Sequence, residues 1–264
     1  MSDEPDSFDR RVAAHAAMSA AKQASDALNI TPASPANQPH GDIPNTMLVV
    51  VSIAFALGAI FATSVIAIAV TYPGILYQLS FVAAAWSFFH FMEFAVTAGW
   101  NREKLSVDSF LLNNGKEYHV AHAVAVLEWL LTRWLRPDYK TFPYVSEIGI
   151  ALTLLGQLLR SLAMIHAASN FSHLVAYRKA PTHQLVTDGV YSWSRHPSYT
   201  GFFYWGLGMQ LTLQNPVSFV AFAIVLWRFF NSRIRGEEAL LVRFFGEEYQ
   251  RYRQRVGTKI PFIR

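Results

Sequence analysis

Residues 47–70 form an unbroken apolar run with no charged side chain. That length exceeds the roughly 20 residues a helix needs to cross a bilayer. Inside lipid the backbone must satisfy its own polar groups, so such a run folds as a helix. Four more stretches repeat the pattern in weaker form, at residues 75–98, 118–135, 145–168 and 198–230. The last breaks at Gln214-Asn215-Pro216 into two arms, 198–213 and 217–230. The chain therefore reads as all-α and polytopic, with six transmembrane helices and both termini on one side.

Composition agrees. Of 264 residues, 52% are hydrophobic and only 15% charged, with a mean hydropathy of +0.21. That is too apolar for an ordinary soluble domain. The net charge is +4 and the pI about 9.3. The basic residues cluster between and after the apolar runs, as expected for contact with anionic headgroups. No basic patch with interleaved aromatics points to nucleic acid. Cysteine is absent, which excludes a disulfide framework, a thiolate nucleophile and a cysteine metal site. Arg178, Lys179, Arg195 and the arginine-rich tail put the termini in the cytosol. Arg133, Arg136 and Lys140 disagree, falling on the far side in a six-span topology.

Three regions follow. Residues 1–45 are a polar leader with five prolines, expected to be disordered and lacking the apolar core of a secretory signal. Residues 46–169 are transmembrane helices. Residues 170–264 hold an irregular polar segment, the hairpin and a further amphipathic helix over 237–256. In that helix Leu240, Leu241, Phe244, Phe245, Tyr249, Tyr252 and Val256 recur at three- and four-residue steps.

Two polar clusters bracket the hairpin. Trp193-Ser194-Arg195-His196-Pro197-Ser198-Tyr199 precedes it and Arg233-Ile234-Arg235-Gly236-Glu237-Glu238 follows it. Charge at a membrane boundary is costly and marks sites. The turn at Asn215-Pro216 returns both clusters to one surface. Pro197 suits a helix's first turn and holds His196 extended, so Arg195 and His196 are expected to present their side chains outside the helix start. Arg233 and Glu237 share a helical face. A plain surface ion pair and a basic helix cap remain open readings of the two clusters. His183 to Val186, followed by the Asp188-Gly189 turn, could offer backbone groups to an adenine or ribose.

His90, Glu93, His119, His122, Glu128 and His166 lie within the apolar runs. His119 and His122 share a face and could bind a metal with Glu93 or Glu128, but no HExxH-type signature accompanies them. Hydrogen bonds between helices are the expected use of these side chains, and no metal is expected.

Taken together, the last third resembles the isoprenylcysteine carboxyl methyltransferases. The resemblance runs through Asn170-Phe171-Ser172-His173, Leu185-Val186-Thr187-Asp188-Gly189-Val190-Tyr191, Arg195-His196-Pro197-Ser198-Tyr199, Gln214-Asn215-Pro216 and Trp227-Arg228-Phe229-Phe230. It ends in Arg233, Glu237-Glu238, Phe244-Phe245-Gly246-Glu247-Glu248-Tyr249 and Ile260-Pro261-Phe262-Ile263. It implies an enzyme of the endoplasmic reticulum membrane that moves a methyl group from S-adenosylmethionine to the carboxylate of a prenylated C-terminal cysteine in CaaX-processed proteins. The fold implied is a helical hairpin beside a cytosolic cofactor-binding segment. The cofactor would lie against His183, Gln184, Leu185, Val186, Tyr191, His196, Pro197, Ser198, Tyr199 and Glu237, and against the backbone at Ala176, where a longer polar side chain is expected. Arg233 would hold the substrate carboxylate and serve catalysis. Phe202, Phe203, Trp205 and Trp227 either line a lipid-open path for the prenyl chain or form an aromatic belt. Two enzymatic rivals remain at this stage, a membrane methyltransferase for another lipid and an NADPH-dependent sterol reductase, beside a non-enzymatic membrane scaffold or transporter, which the absence of visible repeats weakens. An amine acceptor would favour a carboxylate over Arg233, and a 2′-phosphate would need more basic residues than 176–194 offers.

Overall fold

A computed structural model describes residues 43–136, 142–179, 181 and 183–264. Most of the leader and Lys140 lie outside the described residues. Every long element is a helix: α1 (Met47–Thr71), α2 (Leu76–Trp100), α3 (Lys116–Leu135), α4 (Val145–Ala167), α5 (Pro197–Leu213), α6 (Pro216–Phe245) and α7 (Glu247–Arg255).

Among the described residues, four helical stretches are long and apolar enough to cross a membrane: Met47–Thr71, Leu76–Trp100, Val145–Asn170 and Pro216–Phe245. Two of the six expected spans, α3 and α5, do not meet that standard. α3 carries Lys116, Glu117, Glu128 and Arg133 in its 20 residues. α5 has 17 residues, roughly 25 Å at 1.5 Å per residue, against a hydrocarbon core of ~30 Å. It needs neither length nor a lipid-compatible surface, because its neighbours bury nearly all of it.

The burial of α5 has a cause in sequence. Gly149 and Gly156 on α4 face Gly208 and Gly201 on α5, each pair of glycines seven residues apart. A Cβ on Gly156 would stand 2.6 Å from the Gly201 carbonyl oxygen and 2.7 Å from the Trp205 amide nitrogen. A Cβ on Gly149 would stand 2.3 Å from the Thr212 amide nitrogen. Backbones this close are the small-residue packing by which membrane helices associate without a hydrophobic driving force.

At the hairpin turn, Glu128 of α3 accepts from the Val217 and Ser218 amides at 3.0 and 2.7 Å. It caps the N-terminus of α6, where unpaired donors and the helix dipole favour an anion. Asn215 donates to the Ala125 carbonyl at 2.7 Å, pinning the turn to the same helix.

The C-terminal boundaries differ from expectation. One helix runs through the second polar cluster to Phe245, so residues 237–256 are not one amphipathic helix. Nothing between Phe230 and Phe245 stops a helix except Gly236, and the polar side chains find partners without unwinding it. The break falls at Gly246, whose φ of +56° is a conformation L residues rarely adopt. Beyond it, α7 turns Tyr249 and Tyr252 inward, 1% and 3% exposed.

Candidate active site

The two polar clusters do meet, through partners that spacing alone did not indicate. Arg195 and His196 are buried, not presented outward as expected. Arg195 donates from Nε to Glu238 Oε1 at 2.8 Å and from Nη1 to the Val256 and Arg253 carbonyls. Glu238 also faces Arg253 Nε at 3.2 Å and His196 Nε2 at 3.3 Å. A buried guanidinium is tolerable only with its charge and donors matched, and losing one partner of such a pair costs about 3–5 kcal/mol. This knot sets the distance between the start of α5 and the cytosol-expected end of α6.

Tyr199 stands one turn into α5. Its ring stacks on His196, 5.4 Å between centroids and within 2° of parallel, and on Phe230 at 5.3 Å. Its phenol donates to Glu237 Oε2 at 2.6 Å and accepts from Arg233 Nε at 2.9 Å. Arg233 and Glu237 are therefore not paired directly as on a bare helix face; the phenol stands between them. Arg233 Nη2 donates to the His173 carbonyl at 2.5 Å. Its guanidinium lies 5.4 Å from the Tyr199 ring centre and 5.9 Å from that of Phe229. Nη1 has no partner among the described residues.

Beside this group opens a cleft with about 930 Å³ of space, its open mouth included. Ala176, His183, Gln184, Leu185, Val186, Tyr191, His196, Pro197, Ser198, Tyr199 and Glu237 all line it. Arg233 sits just outside, beyond the Tyr199 phenol. The remaining wall is mostly apolar, with Leu240, Leu241, Phe244 and Phe245 from α6 and Tyr249 and Tyr252 from α7. Ala176 adds no polar side chain to it.

Local interactions shape each part of the wall. The 183–186 strip is tied at Gln184, whose amide donates to Asn170 Oδ1 at 2.8 Å. Gly189, at φ +52°, lies so close to His166 that a Cβ would meet its ring at 2.2 Å. The next amide, Val190, donates to His166 Nδ1 at 3.1 Å. Tyr191 is then fixed from both sides, donating to the Ala163 carbonyl and accepting on its own carbonyl from Tyr252. Lys179 reaches the Phe244 carbonyl at 2.9 Å and lies over the Phe245 ring, closing the C-terminal end of α6 as a basic side chain can. Burial, and then the charge of Lys104, lowers the His183 imidazole below its usual range.

Of the residues within the apolar runs, His90 and Glu93 join α2 to α3 and α4, whereas His119 bonds a loop carbonyl and His122 one of its own helix. His90 bonds the Phe110 carbonyl and the Tyr118 hydroxyl; His119 and His122 bond the Leu112 and Tyr118 carbonyls. Glu93 pairs with Arg160 and His173, and no spacing rule links residues so distant. Among the proposed path residues, Phe203 and Trp205 are buried, 5% and 1% exposed. Trp227 donates to the Pro261 carbonyl at 2.9 Å.

The model of the isoprenylcysteine carboxyl methyltransferase family matches residues 149–243, the stretch that builds both clusters. The protein-S-isoprenylcysteine O-methyltransferase of Saccharomyces cerevisiae is 51% identical over 185 residues, covering 68% of this chain and 77% of that one. This chain belongs to the isoprenylcysteine carboxyl methyltransferase family. The Homo sapiens protein-S-isoprenylcysteine O-methyltransferase is 45% identical over 196 residues, covering 70% and 69% of the two chains. A solved structure of the eukaryotic intramembrane Ras methyltransferase of this family superposes with a TM-score of 0.75 at 38% identity, covering 78% of this chain and 74% of that one. Family membership and several bilayer-length helices make the chain a multi-pass membrane methyltransferase. The two rivals, a reductase and a methyltransferase for another lipid, find no support among these relatives.

Proposed function

We propose that the chain methylates the C-terminal carboxylate of a prenylated cysteine in CaaX-processed proteins, using S-adenosylmethionine held in the cleft beside α5. The observation that carries the assignment of roles is the Tyr199 phenol, bonded on one side to an acid in the cleft wall and on the other to an arginine outside it. A donor site and an acceptor site then share one atom.

The cleft fits such a donor chemically. Its apolar wall suits an adenine face, the Glu237 carboxylate can accept from hydroxyl or amino groups, and His183 Nδ1 is buried without a hydrogen-bond partner. When bound, the donor supplies a methyl group activated on a sulfonium. What the protein contributes is position and dryness. The acceptor carboxylate is already ionised near neutral pH, so no general base is needed. Arg233, held at Nε and Nη2, has Nη1 left to grip one carboxylate oxygen. The other oxygen remains free to attack. Arg178, Lys179 and the arginines of α7 flank the same end of the bundle, which supports a site facing the cytosol. The endoplasmic reticulum membrane is the location the family resemblance implies. The exposed apolar faces of α1, α3 and α6 contact membrane lipid in this reading.

The test is transfer of labelled methyl from S-adenosylmethionine to an S-farnesylated cysteine analogue by the purified full-length protein. Folded protein giving no transfer above background would defeat the reading. Arg233→Ala should reduce turnover at least about 100-fold while donor binding stays close to the parent's. Glu237→Ala should weaken the donor; an unchanged donor dissociation constant would remove Glu237 from the donor site.

A further inference from the structure

Glu93 lies on α2, 1% exposed, remote in sequence from every residue of the cleft. Its carboxylate accepts from Arg160 Nε and Nη2 on α4, the latter at 2.9 Å, and from His173 Nε2 at 2.8 Å. The Arg160 guanidinium is 5.2 and 5.3 Å from the ring centres of Phe89 and Phe202, which leaves it little freedom. Its remaining nitrogen, Nη1, donates to Ser198 Oγ at 3.1 Å, and Ser198 is part of the cleft wall. His173, the other partner, gives its carbonyl to Arg233 Nη2. One buried carboxylate thus holds two arms, one ending at the donor cleft and the other at the proposed acceptor arginine.

We propose that Glu93 is a positioning residue for methyl transfer, setting the spacing between the donor and acceptor sites through Arg160 and His173. The inference rests on the reading of the cleft as the donor site and Arg233 as the acceptor site. A purely structural ion pair would explain burial and pairing. It would not explain why both partners of Glu93 continue to the two sides of the reaction centre. In-line transfer is sensitive to spacing, and a displacement near 1 Å can cost about 100-fold in rate.

The experiment uses full-length protein purified in detergent, with donor affinity measured by calorimetry using S-adenosylhomocysteine. Acceptor KM and kcat are measured with the S-farnesylated analogue. Glu93→Gln is expected to raise donor Kd and acceptor KM together, each about tenfold or more. Arg160→Lys should raise donor Kd chiefly. His173→Ala keeps the backbone carbonyl but loses the tie to Glu93, and should raise acceptor KM while donor Kd stays within about twofold. Folded Glu93→Gln with both constants unchanged overturns the proposal. If that variant does not fold, His173→Ala decides: an acceptor-only effect supports the proposal, and equal change in both constants or none overturns it. A parent protein that fails to methylate, or Arg233→Ala with full activity, instead defeats the underlying functional reading and is distinguishable from these outcomes.

Discussion

Tyr199 shows how much one hydroxyl can carry. It donates to a carboxylate and accepts from a guanidinium, and each such bond to a charged group is worth about 1.5–3 kcal/mol. Tyr199→Phe keeps the stacking on His196 and Phe230 and removes only the link. We expect acceptor kcat/KM to fall about 10- to 100-fold, equivalent to roughly 1.4–2.8 kcal/mol. Unchanged steady-state kinetics would mean the link is not used. His183 gives a pH prediction of defined sign. Its folded value is lowered from 6.5 by burial and by Lys104. The cleft therefore keeps its full stability above about pH 6.5 and loses it as pH falls toward the lowered value. Donor affinity should weaken on acidification in that window, and His183→Gln should flatten the dependence. At this scale the sequence was informative about which residues matter and poor about their partners. Arg195, His196, Arg233 and Glu237 stand out as charge beside apolar runs. Their true contacts, Arg195 with Glu238 and Arg233 with Tyr199, span tens of residues and depend on how the helices cross. Glu93 was visible as a charge within an apolar run, but periodicity has no means of matching it to Arg160 on another helix.

Among the elements, the α4–α5 seam is where a single carbon matters most. A methyl group on Gly156 has no room beside the Gly201 carbonyl, so the helices must separate. Gly156→Ala is expected to cost about 1–3 kcal/mol, the usual penalty for overpacking. It should also pull Arg160, on the same helix, away from Ser198. Gly58→Ala on α1, with nothing within 4 Å of the added carbon, should leave the melting temperature unchanged or slightly raised. Equal effects of the two substitutions in a thermal melt would contradict the seam. Hairpin and turn were legible because Asn-Pro breaks an apolar run. The continuity of α6 past Phe230 was not. Apolar periodicity ends where lipid ends, yet the helix continues because its polar side chains are satisfied by α5 and the tail.

For the whole molecule, the C-terminal tail closes the assembly without touching the cleft through most of its length. The Gly257 carbonyl accepts from the Arg195 amide, the Thr258 carbonyl from Ser194 and Thr200, and the Lys259 carbonyl from Tyr204. Deleting residues 257–264 should lower donor affinity and thermal stability together, measured by calorimetry and melting in the same detergent. Retained donor affinity would show that the tail does not brace the start of α5. The all-helical membrane architecture could be read from hydropathy alone. The number of bilayer-length helices could not, because α5 is walled in by protein and so need not meet the length that lipid demands. The buried carboxylate of α2 also bears on the order in which the chain is made. Glu93 emerges from the ribosome 67 residues before Arg160 and 80 before His173. A carboxylate entering the bilayer alone is unfavourable, so the early helices cannot settle one by one. Nascent chains arrested before Arg160 should leave α2 accessible to aqueous labelling at Glu93, and chains extended past His173 should protect it.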